Sequence, residues 1–390
     1  MSVTLINPSG EQSIQDNLWH IASSSNSGVT DMKYVFDIYY KVQQLVRTKI
    51  FPEPTTGKGF FDASPIIKNE ITYDWFTAQT GNIVAVQPSI SGQIAATYQV
   101  FVGEDVSGVT TLNMASGQVT AYNYAPPTFK RKQFDLTQYN NRFLTHRPLK
   151  NYRGTLTDNI FVGCRSMINS SYFIVRGYDP NHNLLWAESF QYNENPTGNK
   201  FMQLNIGANN LNDLLFSYQI TYAIDHYEVS VENVFTEAAR VYLDCPPTKY
   251  QPISLHFINA FGMFDTAKFG LVSKWTTETE RKTFEKRDYS FGTSSVDYYD
   301  TNSVYKESKI NYGSKTNSSY RLTMNYPTDE EYQWLSELIV SPQVYMELDE
   351  AFYPVSIKAN NYEYSKNINN GLRAFEIDID VNQKRFNFRR

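Results

Sequence analysis

The chain has 390 residues, a net charge of −5 and only 19% charged residues, a balance that excludes general electrostatic attraction to nucleic acid or anionic lipid. Its length suits two or three domains that bury cores without disulfide or metal staples, and its two cysteines, Cys164 and Cys245, are too few for a disulfide framework and too far apart for a zinc knuckle, so both read as reduced, buried thiols. No apolar run approaches the roughly 18 residues that cross a bilayer, and the start MSVTLINPSGEQ lacks the basic and apolar regions of a secretion signal, so neither membrane insertion nor export by the usual route is expected.

Residues 1–28 carry one apolar patch, Leu18, Trp19 and Ile21, followed by the SSSNSG stretch from Ser23. They read as an N-terminal arm, either a disordered terminus or one that docks on a neighbour through Trp19. From Lys33 the period becomes two: Tyr34, Phe36, Ile38 and Tyr40 share one strand face, and Tyr98, Val100 and Val102 share another, as half-buried strands do. FPEPTTGKG from Phe51 is a Pro/Gly loop, and a short helix is expected near Ser64 with Pro65 in its first turn.

A second stretch repeats this order. ENPTGNKFM around Glu194 parallels EPTTGKGFF around Glu53, and Cys245-Pro246-Pro247-Thr248 repeats Ala125-Pro126-Pro127-Thr128. One β module used twice explains both, giving modules over 29–127 and 128–248. In the second, Tyr172 to Arg176, the turn Asp179 to Asn183 and Leu184 to Phe190 read as a hairpin, and alternation returns at Tyr227, Val229 and Val231 and at Val241, Leu243 and Cys245. Region 249–390 carries the clearest helix. Thr328 and Glu331 form a capping box, Trp334, Leu335, Leu338 and Ile339 share a face, and Pro342 follows the end. Phe375, Ile377, Ile379 and Val381 then alternate with Glu376, Asp378 and Asp380. The expected fold is mainly β: tandem antiparallel β-sandwich modules followed by a C-terminal β-rich domain with one short helix.

Chemistry is sparse in this sequence. No two of the five histidines have metal-ligand spacing, and the turn at Asp179 starts like a calcium loop but has Leu184 where glycine belongs. Gly57-Lys58-Gly59 lacks the remaining positions of a phosphate loop. Glu376, Asp378 and Asp380 are the best local candidates for paired catalytic acids, yet they lie opposite an apolar row and read as a solvated face. We expect no catalytic, metal or cofactor-binding residue. The strongest charge bias is Lys130, Arg131, Lys132, Arg142, Arg147, Lys150 and Arg153 against the single acid Asp135. It reads either as ion pairs and a solvated linker or as a positive patch for an acidic partner or DNA passing through a channel.

MKYVFDIYYKV from Met32, RFLTHRPLK from Arg142, IVRGYDPNHNLL from Ile174, RVYLDCPP from Arg240 and PISLHFINAFGMFDTAKF from Pro252, with the later Trp334-Leu335 helix and SPQVY from Ser341, form an order of motifs that resembles virion structural proteins of tailed bacteriophages. The likeness is to those of phages of Bacteroidetes hosts, including crAss-like phages, although Ala260-Phe261-Gly262-Met263 keeps one glycine where the family phrase has two. The resemblance implies a non-enzymatic component of a tail, neck or baseplate in the virion, assembled in the host cytoplasm into a homo-oligomeric ring beside other tail or neck proteins. Trp19, Lys130, Arg131, Lys132 and Arg147 are the expected assembly contacts. The alternative is a receptor- or glycan-binding module at a tail tip, built on the same fold.

Overall fold

The alternating residues do form strands, and the strands form sandwiches. The computed structural model describes residues 3–71, 84–86, 94–125, 136–166, 171–192, 200–231, 237–244, 251–299, 307–324, 327–349, 351–358, 374–381 and 387–389. The fold is mainly β with multiple antiparallel sheets, and its helices are the short α1 (Ser64–Lys68), α2 (Ala208–Asn212) and α3 (Asp329–Val340). Two compact units result. The first holds Met1–Pro246, His256–Ala267 and Gln333–Pro342; the second holds Pro247–Leu255, Lys268–Tyr332 and Gln343–Arg390.

The first unit contains two sandwiches of the same topology. In chain order, the first uses Thr4–Ile6, Gln12–Ser13, Trp19–Ser23, Lys33–Tyr40, Gln43–Ile50, Gly59–Asp62, Ala95–Val106 and Val109–Tyr122; the second uses Arg142–Phe143, Asn151–Gly154, Phe161–Ser166, Ser171–Tyr178, Leu184–Tyr192, Lys200–Asn205, His226–Val231 and Ala239–Leu243. In each, the first, third and sixth strands are neighbours in one sheet, and the other sheet runs second, eighth, seventh, fourth, fifth. The second and eighth strands are parallel in both sandwiches. A helix of five residues follows the sixth strand in both. The Pro-Pro-Thr exits lie outside the described residues, but strand order shows the duplication more fully than those phrases.

Each sandwich closes on its own core, because period-two alternation sends one apolar face of each sheet inward. Phe36, Ile38, Tyr98, Val100 and Val102 meet Ala22 and Phe61 in the first; Phe173, Val175, Tyr227 and Val229 meet Val162, Cys164, Met202 and Leu204 in the second. Burial pushes the Cys164 thiol up, as expected of an inert core cysteine; Cys245 lies outside the described residues. Lys33–Tyr40 is buried on both faces, not one, since Val35 and Asp37 are inaccessible and Asp37 takes two bonds from Arg47, at 2.7 and 2.6 Å.

The expected arm is a correction. Residues 4–23 supply the first three strands of the first sandwich, and Val3, Ile14, Leu18 and Ala22 are buried in its core. His20 is likewise inside, with Nε2 bonded to the Tyr98 hydroxyl and Nδ1 to Asn7 Oδ1, both at 2.9 Å.

Burial holds the pKa of His20 down to about 4, against 6.5 for an exposed histidine. The unfolded chain therefore binds a proton that the folded chain refuses, so stability is complete above pH 6.5 and falls as pH drops toward the folded value. From pH 7.5 to 4.5, wild type should lose about 2 to 3 kcal/mol more unfolding free energy than His20→Gln. Urea titrations at both pH values check this, and equal losses would contradict it.

The two sandwiches share a device that sequence identity hides. Asp62 Oδ1 accepts from the backbone N–H of Leu18 (2.8 Å) and Ser64 (3.0 Å), while Ala63 N–H donates to the Leu18 carbonyl. At the matching place Asn205 Oδ1 accepts from Ile160 and Gly207, both at 3.1 Å, and Ile206 N–H donates to the Ile160 carbonyl. One oxygen thus satisfies the amide before the third strand and the amide that opens the helix. Asn205→Ala strands two buried N–H groups and should cost about 2 kcal/mol or more, whereas Asp62→Asn keeps the oxygen and should cost under about 1 kcal/mol. Denaturant unfolding of the two variants distinguishes them.

In the second unit, Val344–Leu348, Ala351–Ile357, Phe375–Val381, Lys309–Met324 and Val272–Glu285 are successive neighbours in one sheet. Phe269, Leu322, Phe375, Ile377 and Ile379 are buried there. Arg321 donates to both oxygens of Asp378, at 2.8 and 2.9 Å, and Lys358 pairs with Asp380 at 2.8 Å. These cations hold two members of the acidic row on the outer face, as a solvated face requires.

Candidate assembly surface

The phrase INAFGMFD builds a clamp inside the first unit. Strands Ile253–Ile258 and Phe264–Phe269 are neighbours, joined by a turn in which Asn259 N–H donates to the Met263 carbonyl at 2.8 Å and Gly262 N–H to the Asn259 carbonyl at 3.0 Å. Gly262 has φ +75°, and a Cβ there would lie 2.3 Å from the Asn123 carbonyl oxygen, so only glycine fits. The Asn259 side chain accepts from Phe261 and Met263 N–H and donates to the Leu144 carbonyl at 2.8 Å. Ala125, at the exit of the first sandwich, donates to the Ala260 carbonyl at 2.7 Å. Phe261 and Met263 then join Tyr122, Tyr124, Leu136, Leu144 and Phe201 in one core. The phrase welds the two sandwiches.

Beside the clamp lies a buried polar node around Asp265. Its carboxylate accepts from Thr145 Oγ, from Trp334 Nε1 at 2.9 Å, from Thr266 N–H at 3.0 Å and from Tyr152 OH at 3.4 Å. Arg147 stacks between Tyr152 and Trp334, at 4.4 and 4.5 Å from the ring centroids, and donates to the carbonyls of Asn151 (2.5 Å) and Thr266 (3.0 Å). Burial pushes the Asp265 pKa up, while Thr145, Arg147 and Trp334 oppose that shift. Asp265, Tyr152, Thr145 and Trp334 all have relative exposure of 2% or less, so a substrate has no route to the carboxylate. The node is a fastener, and a capping box fixes the helix that brings Trp334 to it: Thr328 N–H to Glu331 Oε2 at 2.9 Å, Glu331 N–H to Thr328 Oγ1 at 3.2 Å.

Arg147 therefore faces inward and is not free to bind a neighbour. Lys150 pairs with Glu237 at 3.5 Å and Arg153 with Asp244 at 3.3 Å, so three described cations of the basic segment are tied within their own chain. Lys130, Arg131 and Lys132 lie outside the described residues. The histidines are also engaged: His146 Nδ1 meets Glu337 at 2.5 Å, His256 Nδ1 meets Thr266 at 2.9 Å, and His226 stacks on Tyr178 at 4.9 Å. Asp179 accepts from Asn181 and Asn183 N–H in a tight turn. Among the described residues, no group of three or more His, Cys, Asp or Glu is placed to hold a metal ion, and no helix is long and apolar enough to cross a membrane.

Neither a protein-family model nor a curated protein matches the chain.

Trp19 differs from the other expected contacts. It is 48% exposed on the outer face of the three-stranded sheet of the first sandwich. Ile6, Ile21 and Phe60 stand opposite one another across that sheet, with Ile6 57% and Phe60 37% exposed. Together with Trp19 they make an apolar row facing outward.

The equivalent face of the second sandwich is covered. There Phe161 meets the His256 ring at 5.0 Å and donates its N–H to Thr266 Oγ1 at 2.8 Å. Gln203 exchanges two hydrogen bonds with the backbone of Phe264, at 3.0 and 2.8 Å. Gly163 leaves room for the Met263 side chain, which a Cβ would meet at 2.5 Å. A β-hairpin lies on one copy of the face, and the other copy presents its apolar row to solvent.

The second unit carries a further exposed element. Strands Val272–Glu285 and Lys309–Met324 pair from Val272–Thr323 to Glu285–Lys309 with one register shift. Phe375–Val381 flanks Lys309–Met324 over Ser319–Met324 and Asn387–Arg389 flanks it over Gly313–Lys315, so among the described residues the far end, Lys309–Asn311 opposite Thr283–Glu285, is a two-stranded ribbon. Val272–Glu285 is the edge strand of its sheet; its 14 residues extend about 45 Å at ~3.3 Å per residue. At its end, Tyr289 contacts Phe291 and Tyr298 at 5.4 and 6.2 Å, and Phe291 is 70% exposed.

Proposed function

We propose that the chain is a non-enzymatic structural subunit that assembles with copies of itself into a ring, in the tail, neck or baseplate of a phage virion. The observation that carries this reading is the apolar row Ile6, Ile21, Phe60 and Trp19, left exposed on a face whose duplicate is covered. Outward apolar clusters bounded by polar surface are what association uses, and one heterologous contact repeated by rotation closes a ring. The ribbon end supports the same reading, because two strands without a third are marginal alone and Val272–Glu285, an edge strand among the described residues, invites pairing. The inward commitment of Asp265, Arg147, His20 and His256 suits a subunit whose polar groups hold the fold together. Neighbouring tail or neck proteins would meet the remaining faces.

Size-exclusion chromatography with light scattering, followed by electron micrographs of the peak, tests this. The reading expects one closed oligomer of defined copy number. A monomer across the accessible concentration range would contradict it.

A further inference from the structure

We infer that the uncovered face of the first sandwich is the seat of the ribbon tip of a second copy of this chain; this rests on the homo-oligomer reading above and names the two surfaces that meet.

The duplication identifies the kind of occupant. Trp19 opposite Asp62 and Ile21 opposite Phe60 occupy the places that Phe161 opposite Asn205 and Gly163 opposite Gln203 occupy in the second sandwich. On that second face the cover is a β-hairpin, seated through His256, Met263, Phe264 and Thr266. Geometry that accepts a hairpin in one copy of the module is present in the other.

The chemistry of the row selects among hairpins. Gln203 holds its cover by backbone hydrogen bonds, but the matching row in the first sandwich is Ile6, Ile21 and Phe60, which offers no such groups and asks for an apolar tip. The ribbon tip supplies one through Phe291, Val296 and Tyr298, which are 70, 46 and 49% exposed. Both surfaces are solvent-exposed, and the contact is placed between copies because the reading above is of a homo-oligomer. Because tip and face are different surfaces, the contact is heterologous and propagates around a ring.

The test uses full-length protein with the photoreactive residue p-benzoylphenylalanine in place of Phe291, mixed as isotopically light and heavy populations so that crosslinks between copies are recognised. Irradiation should yield light–heavy crosslinks to peptides containing residues 4–6, 19–23 or 59–62. In parallel, Trp19→Lys with Phe60→Lys should raise the dissociation constant of the oligomer by about tenfold or more, with an unchanged melting temperature of the monomer, since both side chains point out of the core. An oligomer whose crosslinks fall elsewhere would overturn the inference and leave the ring reading standing. Protein that never associates would overturn both.

Discussion

Replacing Trp334 with alanine should destabilise the first unit by about 4 kcal/mol, within the usual range for emptying a buried aromatic site. The side chain is 1% exposed, packs on Phe257 at 5.6 Å and on the Arg147 guanidinium, and its Nε1 donates to Asp265. Truncation removes the ring contact and one donor of a carboxylate that has no solvent to turn to. Trp334→Phe separates the two effects: it keeps most of the ring and loses the donor, so about 1 to 2 kcal/mol is expected. Chemical denaturation of both variants measures the difference. A cost below about 1 kcal/mol for the alanine variant would show that the node is not a fastener.

Breaking the Arg165–Glu11 pair should cost a similar amount. The Arg165 side chain is inaccessible; it donates to both oxygens of Glu11, at 2.8 Å from Nη1, and to the Leu136 carbonyl at 3.1 Å, and it lies over the Phe201 ring at 5.2 Å. Arg165→Ala leaves the Glu11 carboxylate without its counter-charge in a largely buried place, for which about 3 to 5 kcal/mol is the expected loss. Adding Glu11→Gln to Arg165→Met removes both charges and fills most of the space, so this double variant should be clearly more stable than Arg165→Ala. Urea unfolding of the set decides it, and additive losses would contradict the pairing. Since Glu11 immediately precedes strand Gln12–Ser13, the pair also ties residues 3–23 to the second sandwich.

Much of the β architecture was legible because its causes are local. The row Tyr34, Phe36, Ile38, Tyr40 states a strand by itself, Thr328 and Glu331 state a helix start, and Asp179 to Asn183 state a hairpin turn. The repeated loop and exit phrases point to a duplication but fall mostly outside the described residues, and strand order sets Phe60 against Gln203, two places from the phrase match with Phe201; Asp62 and Asn205, which do the same work in the two sandwiches, are different residue types and give no identity signal. What escaped was non-local. Strands Thr4–Ile6 and Gln12–Ser13 are too short to show a period, so the start of the first sandwich reads as an arm. Arg147 belongs to a basic run in sequence, and only folding brings Asp265 and Trp334 to it. The region after residue 249 is likewise not one block: the INAFGMFD turn and most of α3 fold with the first unit, through contacts that no window of sequence contains. Trp19 stands out in the sequence by residue type, but its significance depends on Ile6, Ile21 and Phe60, which join it only in the sheet.

A cryo-electron reconstruction of the purified full-length assembly tests most directly whether this duplicated sandwich protein exists to be joined to copies of itself. A closed ring with protein density seated over Trp19, Ile21 and Phe60 is the predicted result. Dispersed single chains, with that row bathed in solvent, would contradict it.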